Sequence, residues 1–363
     1  MRRALALALC AVVFPVSGVA AAATPPAKVA RKIVASGMPG AVVLVKDGSG
    51  TRIGTAGFAD VGRRRAMRAN TSFRIGSVTK SFVAALVLEL AQRGTLRLDD
   101  PVERWLPGRV PNGGAITLRQ LLNHTSGLYD YSADPRLADA MYQRYIVWPP
   151  LSLIGVGASH PPSFAPGAGW GYSNTNYVLL GLVVQAAART PVERRLAQRI
   201  LKPLRLQRTS LPGTPRLPVP FARGYLLPGA QGARPNLPRT DVTGIGTAWA
   251  WTAGGAVSTA GDVAQFYAGL LRGRIVAPRL LREMKRPVTI DVNGNGYGLG
   301  LSLSRVGCGL SWGHNGSVPG YTSYALNTPA ADRQVVVLVN GTPGGAEQRA
   351  AVDNAVVEAF CSS

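Results

Sequence analysis

The sequence predicts an α+β fold. Strands from both ends of the chain form one antiparallel sheet flanked by helices, and a mostly helical second lobe is inserted between them. Three observations predict it. Strand-like runs cluster at 40–59 and again at 298–339. The strongest helical stretch, 77–93, is apolar on every side from Phe82 to Leu88 and so belongs inside a core. Between about 85 and 244 the chain reads as helices joined by Pro- and Gly-rich connections. With 363 residues, 46% of them hydrophobic, two lobes are affordable. The expected division is 1–23 as a signal, 24–84 with 245–363 as the sheet lobe, and 85–244 as the helical lobe.

The elements follow in order. Met1-Arg2-Arg3, an apolar run from Ala4 to about Val16, and small residues through Ala23 have the order of a secretory signal. The run is short for a membrane span, so cleavage near Ala22 or Ala23 and export are expected. A short helix is read at 28–37, then strands at 40–46 and 51–59 around Asp47-Gly48-Ser49-Gly50. Gly94 closes the 77–93 helix as its C′ glycine. Thr117 caps a helix through Leu122, and Asn123-His124-Thr125-Ser126-Gly127 begins a polar turn. Helices are expected at 177–188 and 191–201, and surface loops at 203–243, where Pro and Gly crowd. Thr259 caps a helix to Leu271, and Pro278 starts another. Strands at 298–304, 310–312, 321–327 and 334–339 read as antiparallel hairpins. A last helix spans 347–360.

The formal charge of +22 raises the question of nucleic acid. The arginines are scattered rather than striped, apart from Arg63-Arg64-Arg65, and no nucleic-acid motif is present. Anionic wall polymers, headgroups or carboxylate-bearing substrates suit the field better, although an Arg-rich, GC-rich coding bias yields the same composition. Beyond Cys10 in the signal, two cysteines remain, Cys308 and Cys361. An even pair in an exported chain suggests one disulfide, the alternative being two free thiols. There is no metal-ligand spacing and no phosphate-binding glycine loop, so neither metal nor cofactor is expected.

Three short motifs carry chemistry. Ser77-Val78-Thr79-Lys80 opens the buried helix and sets Lys80 one turn above Ser77. A serine hydroxyl needs a base to become a nucleophile, and burial makes lysine a better base. The helix N-terminus adds N–H groups near a developing oxyanion. Tyr172-Ser173-Asn174 offers a proton shuttle at Tyr172 and a substrate-amide contact at Asn174. His314-Asn315-Gly316-Ser317 follows the 310–312 strand. Gly316 lets the backbone approach a ligand, the Ser317 N–H pairs with that of Ser77 as an oxyanion hole, and His314 either holds the site positive or bonds to Tyr172 and Ser77. Asn315, Gly316 and Ser317 are then substrate contacts. Each motif alone is also what a cap or a turn shows; their order and contexts are the signal.

With these segments the chain resembles the class C β-lactamase and DD-peptidase family of serine hydrolases, over about 40–361. Within it the chain looks most like the secreted Streptomyces D-alanyl-D-alanine carboxypeptidase/transpeptidases. The segments Phe73–Phe82, Ser126–Tyr131, Tyr172–Asn176, Tyr297–Leu301, the approach from Cys308 to His314, and Ala359-Phe360-Cys361 carry the likeness. The resemblance implies a β-lactamase/transpeptidase-like fold and a Cys308–Cys361 disulfide. It also implies Ser77 as nucleophile, Lys80 and Tyr172 as acid/base pair, Asn174 as amide contact, and His314 where many relatives have lysine. In the Streptomyces enzymes an arginine after Leu-Gly-Leu helps hold the substrate carboxylate, and threonine follows the histidine; here those places are Ser302 and Asn315, with Arg305 as the candidate substitute.

The expectation is an exported D-alanyl-D-alanine carboxypeptidase trimming peptidoglycan stem peptides and acylated covalently by β-lactams, acting as a monomer without nucleic acid. A class C-like β-lactamase, or a broad esterase or D-aminopeptidase, is the alternative on the same residues. A non-catalytic wall-binding protein is a third reading, which the three intact motifs oppose.

Overall fold

The computed structural model describes residues 24–142, 148–214, 216–234 and 236–362; the expected signal at 1–23 lies outside them. The fold starts from a run no one-sided sheet accommodates. Gln334–Val339 is buried at every position, which requires cover on both faces. The main sheet comprises β1 (Gly40–Asp47), β2 (Gly50–Asp60), β3 (Arg65–Ala66), β4 (Val288–Thr289), β5 (Gly296–Tyr297), β6 (Ser302–Val306), β7 (Gly309–Val318), β8 (Tyr321–Asn327) and β9 (Gln334–Val339). Among the described residues its order is β3-β2-β1-β9-β8-β7-β6-β5-β4, every neighbouring pair antiparallel. β1 and β9 pair from Ala41↔Val339 to Lys46↔Gln334, so the two ends of the chain meet inside the sheet.

Side chains alternate across that seam with the period of two that a strand imposes. Val43, Val45, Val335, Val337 and Val339 face helices α1 (Pro26–Ala35) and α5 (Ala346–Cys361), against Val29, Ile33, Val352, Val356 and Phe360. Val42, Leu44, Val336 and Leu338 face the larger core. That core is built on α2 (Thr79–Gln92), buried from Thr79 to Leu90, as its all-round apolar sequence requires. Phe82 stacks on Phe266 of α4 (Ala260–Leu271) with ring centroids 3.6 Å apart. α3 (Asn174–Ala188) packs against α2. Cys308 and Cys361 are joined, Cα atoms 5.4 Å apart, tying the β6–β7 turn to the end of α5.

Most elements stand near where the sequence puts them; five stretches differ. Ser77 lies in a 3₁₀ turn, Gly76–Val78, and the α-helix begins at Thr79. α3 starts at Asn174, three residues earlier than expected, because Ser173 already has extended backbone and Asn174 is the first helical residue. The expected 298–304 strand begins only at Ser302, since Gly300 turns the chain at φ +76°. The expected 310–312 strand runs on to Val318, because Asn315–Ser317 pair with Thr322–Tyr324 of β8. The 203–243 segment is largely irregular but not all surface: Ala222, Tyr225 and Leu226 are buried, and Tyr225–Leu226 pairs with Gly341–Thr342.

Candidate active site

The three motifs converge where α2, α3 and β7 meet. The turn before α2 is held by Thr79 Oγ1 donating to Gly76 O (2.7 Å) and Ser323 Oγ donating to Ile75 O (2.8 Å). It rests on β7 so closely that a Cβ on Gly316 would lie 2.1 Å from Ile75 O and 2.9 Å from Ser77 N. One on Gly76 (φ +51°) would lie 2.7 Å from Ser317 N. Only two glycines allow the Ser77 and Ser317 amides to come side by side, the arrangement an oxyanion hole needs.

Lys80 is fully buried. Its Nζ lies 3.1 Å from Ser77 Oγ, 2.7 Å from Asn174 Oδ1 and 2.7 Å from Ala253 O. Burial brings its pKa down to about 7, partly opposed by the Asp130 carboxylate. In the neutral amine two N–H groups serve Asn174 and Ala253, and the lone pair is left for the Ser77 hydroxyl. Tyr172 Oη donates to Ser77 Oγ at 2.8 Å. Burial pushes its phenol well above the usual range, so Tyr172 keeps its proton while Lys80 is the group able to take one.

Three expectations about side-chain roles are corrected. His314 does not hold the site positive: burial, and then the Lys80 charge, bring its pKa down to about 3. Nor does it bond to Tyr172 or Ser77. Nδ1 faces Asn315 O (2.5 Å), which can only accept, so Nδ1 carries the proton and Nε2 (2.8 Å) accepts from Tyr297 Oη. Asn174 is not a free substrate contact. Its Oδ1 accepts from Lys80 and its Nδ2 donates to Asp130 (3.1 Å) and Ser132 (3.0 Å), so it aims the lysine. Arg305 does not reach the site; its Nε donates to Gly294 O on an outer turn.

A cleft of about 470 Å³ opens over Ser77. Asp130, Trp170, Tyr172, Tyr297, Ser302, His314, Asn315, Gly316, Ser317 and Tyr324 line it. Arg349 of α5 stands at its lip and forms no ion pair among the described residues. Tyr297 and Asp130 fall inside segments that carried the family likeness, but nothing in the sequence assigned them roles. Arg349 had no local signal at all. No cluster of metal-ligating side chains occurs among the described residues.

A serine between a fully buried amine and a partly buried phenol, with its own amide and that of Ser317 close together, defines a serine hydrolase of the acyl-enzyme type. The chain belongs to the β-lactamase family, whose model ("Beta-lactamase") matches residues 26–359. It is similar in structure to a D-stereospecific amidohydrolase from Streptomyces sp., 37% identical, covering 93% of this chain and 98% of that one with a TM-score of 0.84. It is also similar to the D-amino acid amidase of Ochrobactrum anthropi SV3, 30% identical over 92% of this chain and 96% of that one, TM-score 0.83. In sequence it is 26% identical over 322 residues to the putative penicillin-binding protein PbpX of Bacillus subtilis (86% of this chain, 72% of the relative). It is 40% identical over 161 residues to the esterase EstB of Burkholderia gladioli, covering 41% of this chain and 40% of the esterase.

Proposed function

We propose that this chain hydrolyses a D-aminoacyl amide bond whose leaving group carries a carboxylate, as in the D-alanyl-D-alanine end of peptidoglycan stem peptides, and that it is exported to reach them. The observation carrying this reading is Arg349, which lines the cleft together with Asn315 and Ser317 and forms no ion pair among the described residues. It supplies the positive charge that Ser302 and Arg305 do not. In the reaction, neutral Lys80 takes the Ser77 proton as Oγ bonds to the acyl carbon. The resulting oxyanion is held by the Ser77 and Ser317 amides. As the C–N bond breaks, Tyr172 gives its proton to the leaving nitrogen, and the Lys80 ammonium makes that proton good. Water then repeats the sequence on the ester. β-Lactams would acylate the same oxygen. The disulfide supports an oxidising compartment.

A second reading, hydrolysis of D-amino acid amides, is favoured by the Asp130 carboxylate in the cleft, to which no ion pair is formed among the described residues and which a substrate ammonium fits, and by the likeness to the two amidohydrolases. The test is D-alanine release from an Nα-acylated D-Ala-D-Ala tripeptide beside ammonia release from D-phenylalanine amide, with intact-mass detection of a benzylpenicillin adduct. Peptide turnover and an adduct, both lost in Ser77→Ala, are expected. Ammonia release without peptide turnover would replace the first reading by the second.

A further inference from the structure

His124 is buried, titratable and unused by the reaction as described. It sits in the left-handed region at φ +63° with none of its surface exposed. Its main chain and side chain grip the same short segment. His124 O accepts from Gly171 N (3.0 Å), and His124 Nδ1 accepts from Ser173 N (3.2 Å). The residue between those two amides is Tyr172. A backbone N–H can only donate, so Nδ1 is unprotonated and the ring proton sits on Nε2, which has no hydrogen-bond partner among the described residues. The orientation is set from behind. Ser126 Oγ donates to Asn176 Oδ1 (2.7 Å), which turns Asn176 Nδ2 toward His124 Nδ1 (3.2 Å). The ring itself lies against Tyr172, centroids 4.4 Å apart, and edge-on to Tyr297 at 4.7 Å.

We infer that His124 is a positioning residue: it clamps the backbone on both sides of Tyr172 and thereby sets the phenol oxygen on Ser77. The inference rests on the assignment of Ser77 and Tyr172 above. A rigid hold at this point matters because displacement of a reacting group by about 1 Å costs on the order of a hundredfold in rate. Isolating the clamp from packing is possible because its two features belong to different substitutions. Asparagine tolerates the left-handed backbone and places an acceptor near the Nδ1 position, but removes the ring. Phenylalanine keeps the ring and removes the acceptor.

The experiment measures kcat and KM on p-nitrophenyl acetate, thermal midpoint by circular dichroism, and the Tyr172 ¹³Cζ resonance, assigned with Tyr172→Phe. His124→Asn is expected to lower the midpoint yet keep kcat within about threefold, and His124→Phe to lower kcat about tenfold or more with KM within about twofold. The Tyr172 resonance should move in both variants, since each changes the ring packed on it, and move further in His124→Phe, where the clamp is lost as well. A purely structural role predicts instead that kcat follows the midpoint, and that result overturns the inference. If His124→Phe does not fold, folded His124→Asn decides alone, since a loss beyond about tenfold contradicts the clamp. If the wild type turns over no ester or amide, the reading of Ser77 fails, and the Tyr172 resonance still decides whether His124 positions that ring.

Discussion

The Lys80 amine has two hydrogen-bonding directions committed to Asn174 and Ala253 and its third to Ser77, so its charge state governs the nucleophile. Its pKa falls from the ordinary 10.5 to about 7, which makes the amine neutral above that value. Accordingly kcat/KM for an uncharged ester should rise with pH through about 7; an acidic limb set near the value of free lysine would contradict the assignment. Lys80→Arg cannot deprotonate at these pH values and is expected to lose about 10²–10⁴ in kcat, the range for a missing general base. At the lip of the cleft, Arg349→Ala should raise KM for a substrate with a free carboxylate and leave neutral esters unchanged. Arg305→Ala should change neither, since its guanidinium is spent on Gly294. Equal effects of the two arginine substitutions in steady-state assays would contradict the placement of the carboxylate grip.

At the scale of elements, two glycines serve different ends. Gly94 ends α2 in the left-handed conformation (φ +72°), with its N–H on Ala91 O and the Thr95 N–H on Leu90 O, a Schellman closure. No atom of the described residues stands within 4 Å of a Cβ there, so Gly94→Ala should cost only the backbone strain, about 1–2 kcal/mol by chemical denaturation, with acylation intact. Gly316→Ala meets the backbone of the turn before α2, at Ile75 O and Ser77 N, and the Ser323 hydroxyl of β8. It is expected to abolish acylation by benzylpenicillin in intact-mass measurements, because the Ser77 and Ser317 amides must then separate. The element boundaries show where local reading runs out. Thr117 and Thr259 accept from Gln120 N and Asp262 N as caps do, and both are legible from residue type alone. The continuation of β7 through His314–Ser317 is not, because a strand containing Asn and Gly is sustained by its partner β8, far along the chain.

For the whole molecule, the disulfide closes a stretch of 53 residues between the β6–β7 turn and α5. Loop-closure entropy puts its contribution at about 4 kcal/mol as an upper figure, so a Cys308→Ser, Cys361→Ser double variant should unfold at clearly lower denaturant. Unchanged stability would mean that α5 is held by its Val352, Val356 and Phe360 contacts alone.

The sequence by itself determined the α+β class, the strand-bearing ends, the buried helix after Ser77 and the serine hydrolase family, because hydrophobic period, caps and short motifs are local properties. It also pointed to the residues that meet at the site: Ser77, Lys80, Tyr172, His314 and Ser317. What it assigned to some of them was altered by their surroundings. Burial made His314 neutral, and three neighbours claimed the Asn174 amide. Ala253 O, Tyr297 and His124 reach the site, and Arg349 the lip of its cleft, from distant stretches of chain. Their partners and aim depend on which surfaces pack around them, and only the tertiary packing settles that.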